Sequence, residues 1–465
     1  MPRLPLLAAL LLVAACGGGD RGGEPDADVT PDAGPQPGDV SHLMAFGDVG
    51  DDRGQGVAID GDGNVIITGG FGGAADLGDG EVVSTGQLDA FLIKQGPDAE
   101  PLWERTIGDW WTGGIAVDAN DAGDIAIAGF FWDDMAIGGT VLETAGQGSG
   151  FVAKYDTDGN PVWARAVGGA AHAYAQAVSI DETGNVMVGG EFEETADFGA
   201  GPVTSEGGSD IFVARYASAD GAPMWSRAIG STGADSTWSI DLDGDSPIVV
   251  GSIGGDADFG CGVHSHLGDL DAYVARLDAA DGSCVWSIPI ASTGRDEAHG
   301  VATDGAGDFV VVGSFAGVID FGSGPVTESN GDPVMYLAKY AAADAAFRWV
   351  LPINGRSFEQ PWAVATDADG IVYVTGTYEG NVDFGGGTTR GQDGGDTFIA
   401  AYDADAGYLW SQFPVCFGID FGNGIAADSR TGVIVTGGFA DSTAAGGFSA
   451  NSAGDFDAFI MRLLR

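Results

Sequence analysis

A single unit of about 61 residues recurs along this chain, and that period limits the fold more than any other feature. An aromatic in a short apolar segment falls at Phe91, Phe151, Phe212, Tyr273, Tyr336, Phe398 and Phe459. The steps are 60, 61, 61, 63, 62 and 61 residues. A tryptophan keeps the same period at Trp103, Trp163, Trp225, Trp286, Trp349 and Trp410. A fixed period of this size marks a repeat architecture, in which each unit buries its apolar face against its neighbours. Ser41 to Arg465 holds close to seven units, so one domain of repeated parts replaces the several domains that 465 residues would otherwise suggest.

Each unit carries four strand signals. The first is a short apolar run ending in an acid, as in Val57–Asp60, Ile115–Asp118, Val178–Asp181, Ile240–Asp243, Val301–Asp304, Val364–Asp367 and Ile425–Asp428. A tight Asp-Gly turn follows, where Asp bonds its own backbone and Gly supplies positive φ. The second strand is rich in Val, Ile and Thr; the third carries the aromatic and the fourth the tryptophan. Uninterrupted apolar runs predict strands covered on both faces, as in sheets stacked face to face. With four antiparallel strands, the short turns after strands one and three lie at one end, here the bottom. The connections after strands two and four lie at the top.

The last unit stops at Asp457–Arg465, a third strand with no tryptophan strand after it. Its missing strand stands at the other end: Ser41–Gly47 aligns with Leu102–Gly108. Closing a ring this way removes exposed sheet edges. The expectation is an all-β, seven-bladed β-propeller with four antiparallel strands per blade, whose N-terminal strand completes the last blade. Units such as Thr183–Gly190 followed by Asp210–Tyr216 resemble the bacterial beta-propeller repeat family sometimes called SBBP, over Ser41 to Arg465. That resemblance implies the propeller fold and no catalytic residues. A weaker similarity to quinoprotein-like repeats lies in Arg276–Trp286 and Tyr402–Trp410, although those repeats are usually shorter.

Ahead of the repeats, Met1-Pro-Arg3 and the apolar run Leu4–Val13 read as an export signal, too short to span a bilayer. Val13-Ala-Ala-Cys16 resembles the lipobox of bacterial lipoproteins. The resemblance implies cleavage before Cys16, lipidation of its thiol, and an outer-membrane lipoprotein facing the periplasm or the cell surface. Residues 1–16 are then the signal and 17–40 a tether of Gly, Pro and Asp. That composition cannot bury a core, and its reach is about 25–30 Å. The propeller is expected over 41–465.

The formal charge is −50, from 18 Lys and Arg against 68 Asp and Glu. Phosphate recognition needs basic surface, so nucleic acid is excluded as a partner class. Many basic residues also hold a repeat position: Lys94, Lys154, Arg215, Arg276, Lys339 and Arg462 are equivalent, with Ala401 the exception. Such residues are expected in repeated ion pairs.

The connections from strand four to the next strand one differ most between units. Counted back from strand one, one position holds Gln55, Gly113, Gln176, Trp238, His299, Trp362 and Asn423. In a closed ring these circle the mouth of the channel. Trp with Gln, Asn and His suits a sugar or polar small molecule, because rings stack and amides bond hydroxyls. The competing reading is that the same residues plug the channel. The second-to-third connections repeat an Asp-Phe-Gly type motif at Asp76, Asp197, Asp258, Asp320 and Asp383, expected to bond turn amides. No cofactor is expected. The one metal to weigh is calcium: Asp60-Gly-Asp62-Gly-Asn64 resembles half a calcium loop, but its twelfth position is Phe71. His264 and His266 lack an identifiable third ligand. Cys261 and Cys284 fall in one unit and are candidates to pair, with Cys416 left over, though three cysteines leave the pairing open.

No nucleophile elbow or Walker loop is present. The expected function is therefore a monomeric, lipid-anchored envelope propeller that binds a protein or glycan through its top-face loops. The alternatives are a glycan- or small-molecule-processing enzyme on that face and an outer-membrane assembly scaffold.

Overall fold

The second and third strands of each unit are the most apolar, and they are buried along nearly their whole length. Val65–Phe71 and Asp89–Gln95 are buried at every residue, whereas the outer Pro101–Ile107 is exposed or half-buried until its last residue. The structure, a computed structural model, describes residues 35–465 apart from 49, 145, 328–332, 356–357 and 392–393. Cys16 and the expected signal, with most of the expected tether, lie outside the described residues.

Pro37–Arg465 forms one compact unit. It contains seven blades of four antiparallel strands, each in the order first, second, third, fourth, and the outer strand of blade two is also paired at Gly168 with Asp197 of the next hairpin. Blade one comprises Arg53–Ile59, Val65–Phe71, Asp89–Gln95 and Pro101–Ile107. Blade seven takes Asp420–Asp428, Gly432–Phe439 and Asp457–Leu463 from the C-terminal end and Val40–Phe46 from the N-terminal end. His42 faces Arg462 and Phe46 faces Ala458 in that closing pair. First strands of successive blades pack against one another, and Arg53–Ile59 meets Asp420–Asp428 to complete the ring. The apolar core lies between the sheets. Ala126 and Val152 of blade two, for example, share a cluster with Val186 and Phe212 of blade three.

The second-to-third connection is more ordered than the sequence suggests. In every unit it forms a short hairpin, from Ala74–Asp76 with Glu81–Val83 in blade one to Ser442–Ala445 with Phe448–Asn451 in blade seven. Its strands are too short to show a period. The motif aspartates close these hairpins as expected: Asp197 Oδ1 accepts the amides of Gly199 at 2.7 Å and Gly201 at 3.2 Å, and Asp383 Oδ1 those of Gly385 and Gly387.

Two repeated bonds fasten the bottom face. Trp103 Nε1 donates to Thr157 O of the next blade at 3.0 Å, and Trp163, Trp225, Trp286 and Trp349 do the same one blade further on. The basic repeat position makes the expected ion pairs in five blades, but in blade seven Arg462 donates to Pro97 O and Gln95 Oε1 while Asp428 pairs with Arg430. Lys94 meets Asp60 at 2.9 Å, Lys154 meets Asp124 at 2.7 Å, and Lys339 meets Asp304 at 2.9 Å. In blade six, where Ala401 breaks the rule, Asp367 is bonded by Tyr373 Oη and by Arg465 at 2.7 Å. Tyr373 faces Ala401 across the strands, so the large ring fills the space the small residue leaves. Cys261 and Cys284 form a disulfide between the hairpin and outer strand of blade four.

Candidate functional site

The rim residues are β-bulges. In six blades the register of the first and second strands slips at one residue: Gln55, Gln176, Trp238, His299, Trp362 and Asn423. A bulge leaves one residue unpaired and re-aims its side chain. In blade two the slip falls at Ile115, not Gly113. The sequence alignment matched Asp118 to Asp60, but Asn120 occupies the turn, its Oδ1 accepting the Asp124 amide just as Asp60 Oδ1 accepts that of Asn64. Gly113 pairs with Phe130 instead.

Three of these residues stand together. His299 lies between Trp238 and Trp362, with ring centroids 5.9 and 5.2 Å away. Burial pushes the His299 imidazole below its usual pKa, against the pull of Glu297, so it is neutral near pH 7. Its Nε2 meets the Gln360 side-chain amide, and its Nδ1 is buried with no partner. The indole N–H groups are used internally: Trp238 donates to Ser252 Oγ at 3.4 Å and Trp362 to Thr377 Oγ1 at 3.3 Å. The polar members are tied as well. Gln176 Oε1 accepts from Ser236 Oγ at 2.7 Å, and Asn423 Nδ2 donates to Gly54 O at 2.9 Å. What this rim offers is the partly exposed faces of Trp238 and Trp362, with His299 buried between them.

Two further groups escaped the sequence reading. The first is a set of carboxylate pairs at the blade seams. A buried Asp opens the third strand of one blade and another opens or immediately precedes the first strand of the next: Asp210 with Asp235, Asp271 with Asp296, Asp396 with Asp420, and Asp457 with Asp52. A backbone bond sets each pair side by side, as where the Asp52 amide donates to Phe456 O at 2.9 Å and that of Asp296 to Leu270 O at 2.8 Å. The other seams hold Asp89 with Thr112, Ser149 with Ala173, and Val334 with Glu359, so none of them pairs two acids. Burial first, and then the neighbouring acid, pushes Asp52, Asp210 and Asp296 up to about 6. The members of a pair lie about 25 residues apart in sequence, or at opposite ends of it, and the chain is so rich in Asp that no spacing stands out.

The second is a line of aromatic rings on the top face over blades two and three. Trp110 contacts Trp111 at 6.2 Å, Trp111 contacts Trp132 at 6.2 Å, and Trp132 contacts His172 at 5.3 Å. His172 stacks on Tyr174, which meets Phe130 at 5.8 Å. The Trp110-Trp111 dipeptide in the most variable connection was the available signal.

The histidine pair does not converge on a metal: His264 Nε2 bonds Ser287 Oγ at 2.6 Å, while the His266 amide donates to Asp256. Among the described residues no three His, Cys, Asp or Glu side chains gather as a metal site.

No family model matches the chain. An uncharacterized WD repeat-containing protein of Acanthamoeba polyphaga mimivirus is 28% identical over 158 residues, which is 30% of this chain and 11% of that protein. The chain thus matches only a small part of that relative's length. Among solved structures, the Pan2 WD40 domain of Neurospora crassa aligns with 91% of this chain and 97% of its own, at TM-score 0.43 and 11% identity. Quinohemoprotein alcohol dehydrogenase from Comamonas testosteroni aligns over 89% of this chain and 69% of its own, at TM-score 0.43 and 11% identity. BamB from Moraxella catarrhalis aligns over 92% and 93%, at TM-score 0.36 and 12% identity.

Proposed function

We propose that this protein is a lipid-anchored cell-envelope propeller that binds a ligand or partner through its top face. The carrying observation is the channel mouth, where Trp238, His299 and Trp362 form an aromatic wall on three adjacent blades. The lipobox-like Val13–Cys16 supports the anchor, and the variable connections gathered on one face support recognition rather than plain scaffolding. Glycan or polar small-molecule binding suits partly exposed ring faces at a channel mouth. The test is glycan-array binding by the full chain carrying Cys16→Ser, beside a Trp238→Ala, Trp362→Ala variant of unchanged thermal midpoint. Selective binding lost in that variant supports the reading. Equal binding by both removes the channel mouth as the site.

A further inference from the structure

Tryptophans in this molecule fall into two groups by the fate of the indole N–H. Five on the bottom face donate to a turn carbonyl of the next blade, and the two on the rim donate to Ser252 and Thr377. Trp110, Trp111 and Trp132 on the top face make no such bond among the described residues, nor does Trp410, whose ring covers Gly38 on the bottom face. Trp110 is 43% exposed, and Trp111 and Trp132 are partly exposed. His172, in the same line, has an Nδ1 buried without a partner. Large aromatics serving only the core would be covered, with their polar atoms satisfied. These rings are instead kept in contact with one another, tied by the Trp132 amide bond to Trp111 O and the Gln87 amide bond to Trp110 O.

We infer that the line from Trp110 to Tyr174 is a second binding platform, which takes a neutral, hydroxyl-bearing polysaccharide lying across blades two and three. The inference rests on the top-face binding reading and adds a different site and a ligand class. The tryptophan and histidine rings, 5.3–6.2 Å apart and inclined at 32–77° to one another, offer apolar surface to sugar rings, and N–H groups left unbonded within the protein favour a ligand that accepts hydrogen bonds. That preference separates the two chemistries that favour aromatic surfaces. A cationic side chain would also be drawn to the rings, but ammonium and guanidinium groups accept no hydrogen bond. An anionic glycan is disfavoured by the net charge of −50 and by Asp109, Asp133 and Asp134, exposed next to the tryptophans. The platform is long and open, so affinity should rise with chain length until the rings are covered.

Affinity electrophoresis and calorimetry of the full Cys16→Ser chain test this, with neutral glucan, mannan and xylan, their oligomers, an anionic uronan and an oligo-lysine peptide. The expected result is binding of a neutral polymer, stronger for longer oligomers. It should weaken about tenfold or more in Trp111→Ala, Trp132→Ala and stay unchanged in Trp238→Ala, Trp362→Ala. Trp111→Phe, Trp132→Phe should retain part of the affinity, because stacking survives the loss of the N–H. Loss confined to the rim variant overturns the platform while leaving top-face binding intact. Preference for oligo-lysine or the uronan overturns the ligand class, and no binding of any probe overturns the inference.

Discussion

Lys94 and Asp60 are each 2% exposed at the side chain and lie 2.9 Å apart. Burial raises the Asp60 carboxyl, but bonds from Asn64 and Lys94 outweigh it and hold the group below its usual pKa. Lys94 also donates to Thr157 Oγ1 of blade two, so one ammonium joins a strand, a turn and the next blade. Removing it strands a buried charge. Lys94→Ala is expected to destabilise the fold by about 3–5 kcal/mol, and Lys94→Met with Asp60→Asn by much less. Denaturant unfolding of the two variants checks this, and equal losses would show that packing rather than charge is at stake.

At the scale of elements, the seam carboxylates make stability depend on pH. A folded-state carboxyl raised to about 6 binds a proton that the unfolded chain has already released above its ordinary value near 4. Stability from these groups is therefore greatest at or below the unfolded pKa and falls as pH rises towards 6. Asp60, Asp181 and Asp304 act in the opposite sense, because their lowered pKa values weaken the ion pairs as pH falls below about 4. The thermal midpoint should thus peak near pH 4 and decline towards pH 6. Asp52→Asn, Asp210→Asn and Asp296→Asn together should flatten the alkaline side of that peak. An unchanged profile would mean that the seams do not titrate. The Cys261–Cys284 bridge closes a separation of 23 residues. Reduction, or Cys261→Ser with Cys284→Ser, should cost about 3 kcal/mol of unfolding free energy, measured in denaturant.

At the scale of the whole molecule, the first and last strands of the ring meet in blade seven. Gly38, with φ of 86°, lies under the Trp410 ring, where a side chain would approach its carbons to 2.8 Å. Gly159, Gly221 and Gly282 take that place beneath Trp103, Trp163 and Trp225. The Gly38 amide donates to Leu464 O, so the two termini rebuild the turn that the other blades make from continuous chain. Arg465 then supplies Asp367 with the cation that Ala401 cannot. Arg465→Ala should lower stability by about 1–3 kcal/mol. Tyr373→Val with Ala401→Lys, which restores the Val310–Lys339 arrangement of blade five, should recover most of it. Chemical denaturation of the three proteins decides, and no loss in Arg465→Ala would show that Tyr373 alone satisfies Asp367.

The period, the four strands of each blade, the closing N-terminal strand and the basic repeat position were legible in the residues alone. Each is a local pattern copied seven times, so chemistry that is ambiguous in one unit is clear in their alignment. The alignment slipped only in blade two, where Asn120 replaces the expected Asp and an earlier Asp118 stands in its stead. That slip moved the rim position from Ile115 to Gly113. The disulfide was one pairing among several in the residues, and the fold brings Cys261 to Cys284. Tertiary structure alone placed Asp210 beside Asp235, set Trp132 against His172, and sent Arg465 to Asp367. These contacts join residues from different blades or opposite ends of the chain. Their distances depend on how the sheets stack around the ring, and no spacing along the chain encodes that.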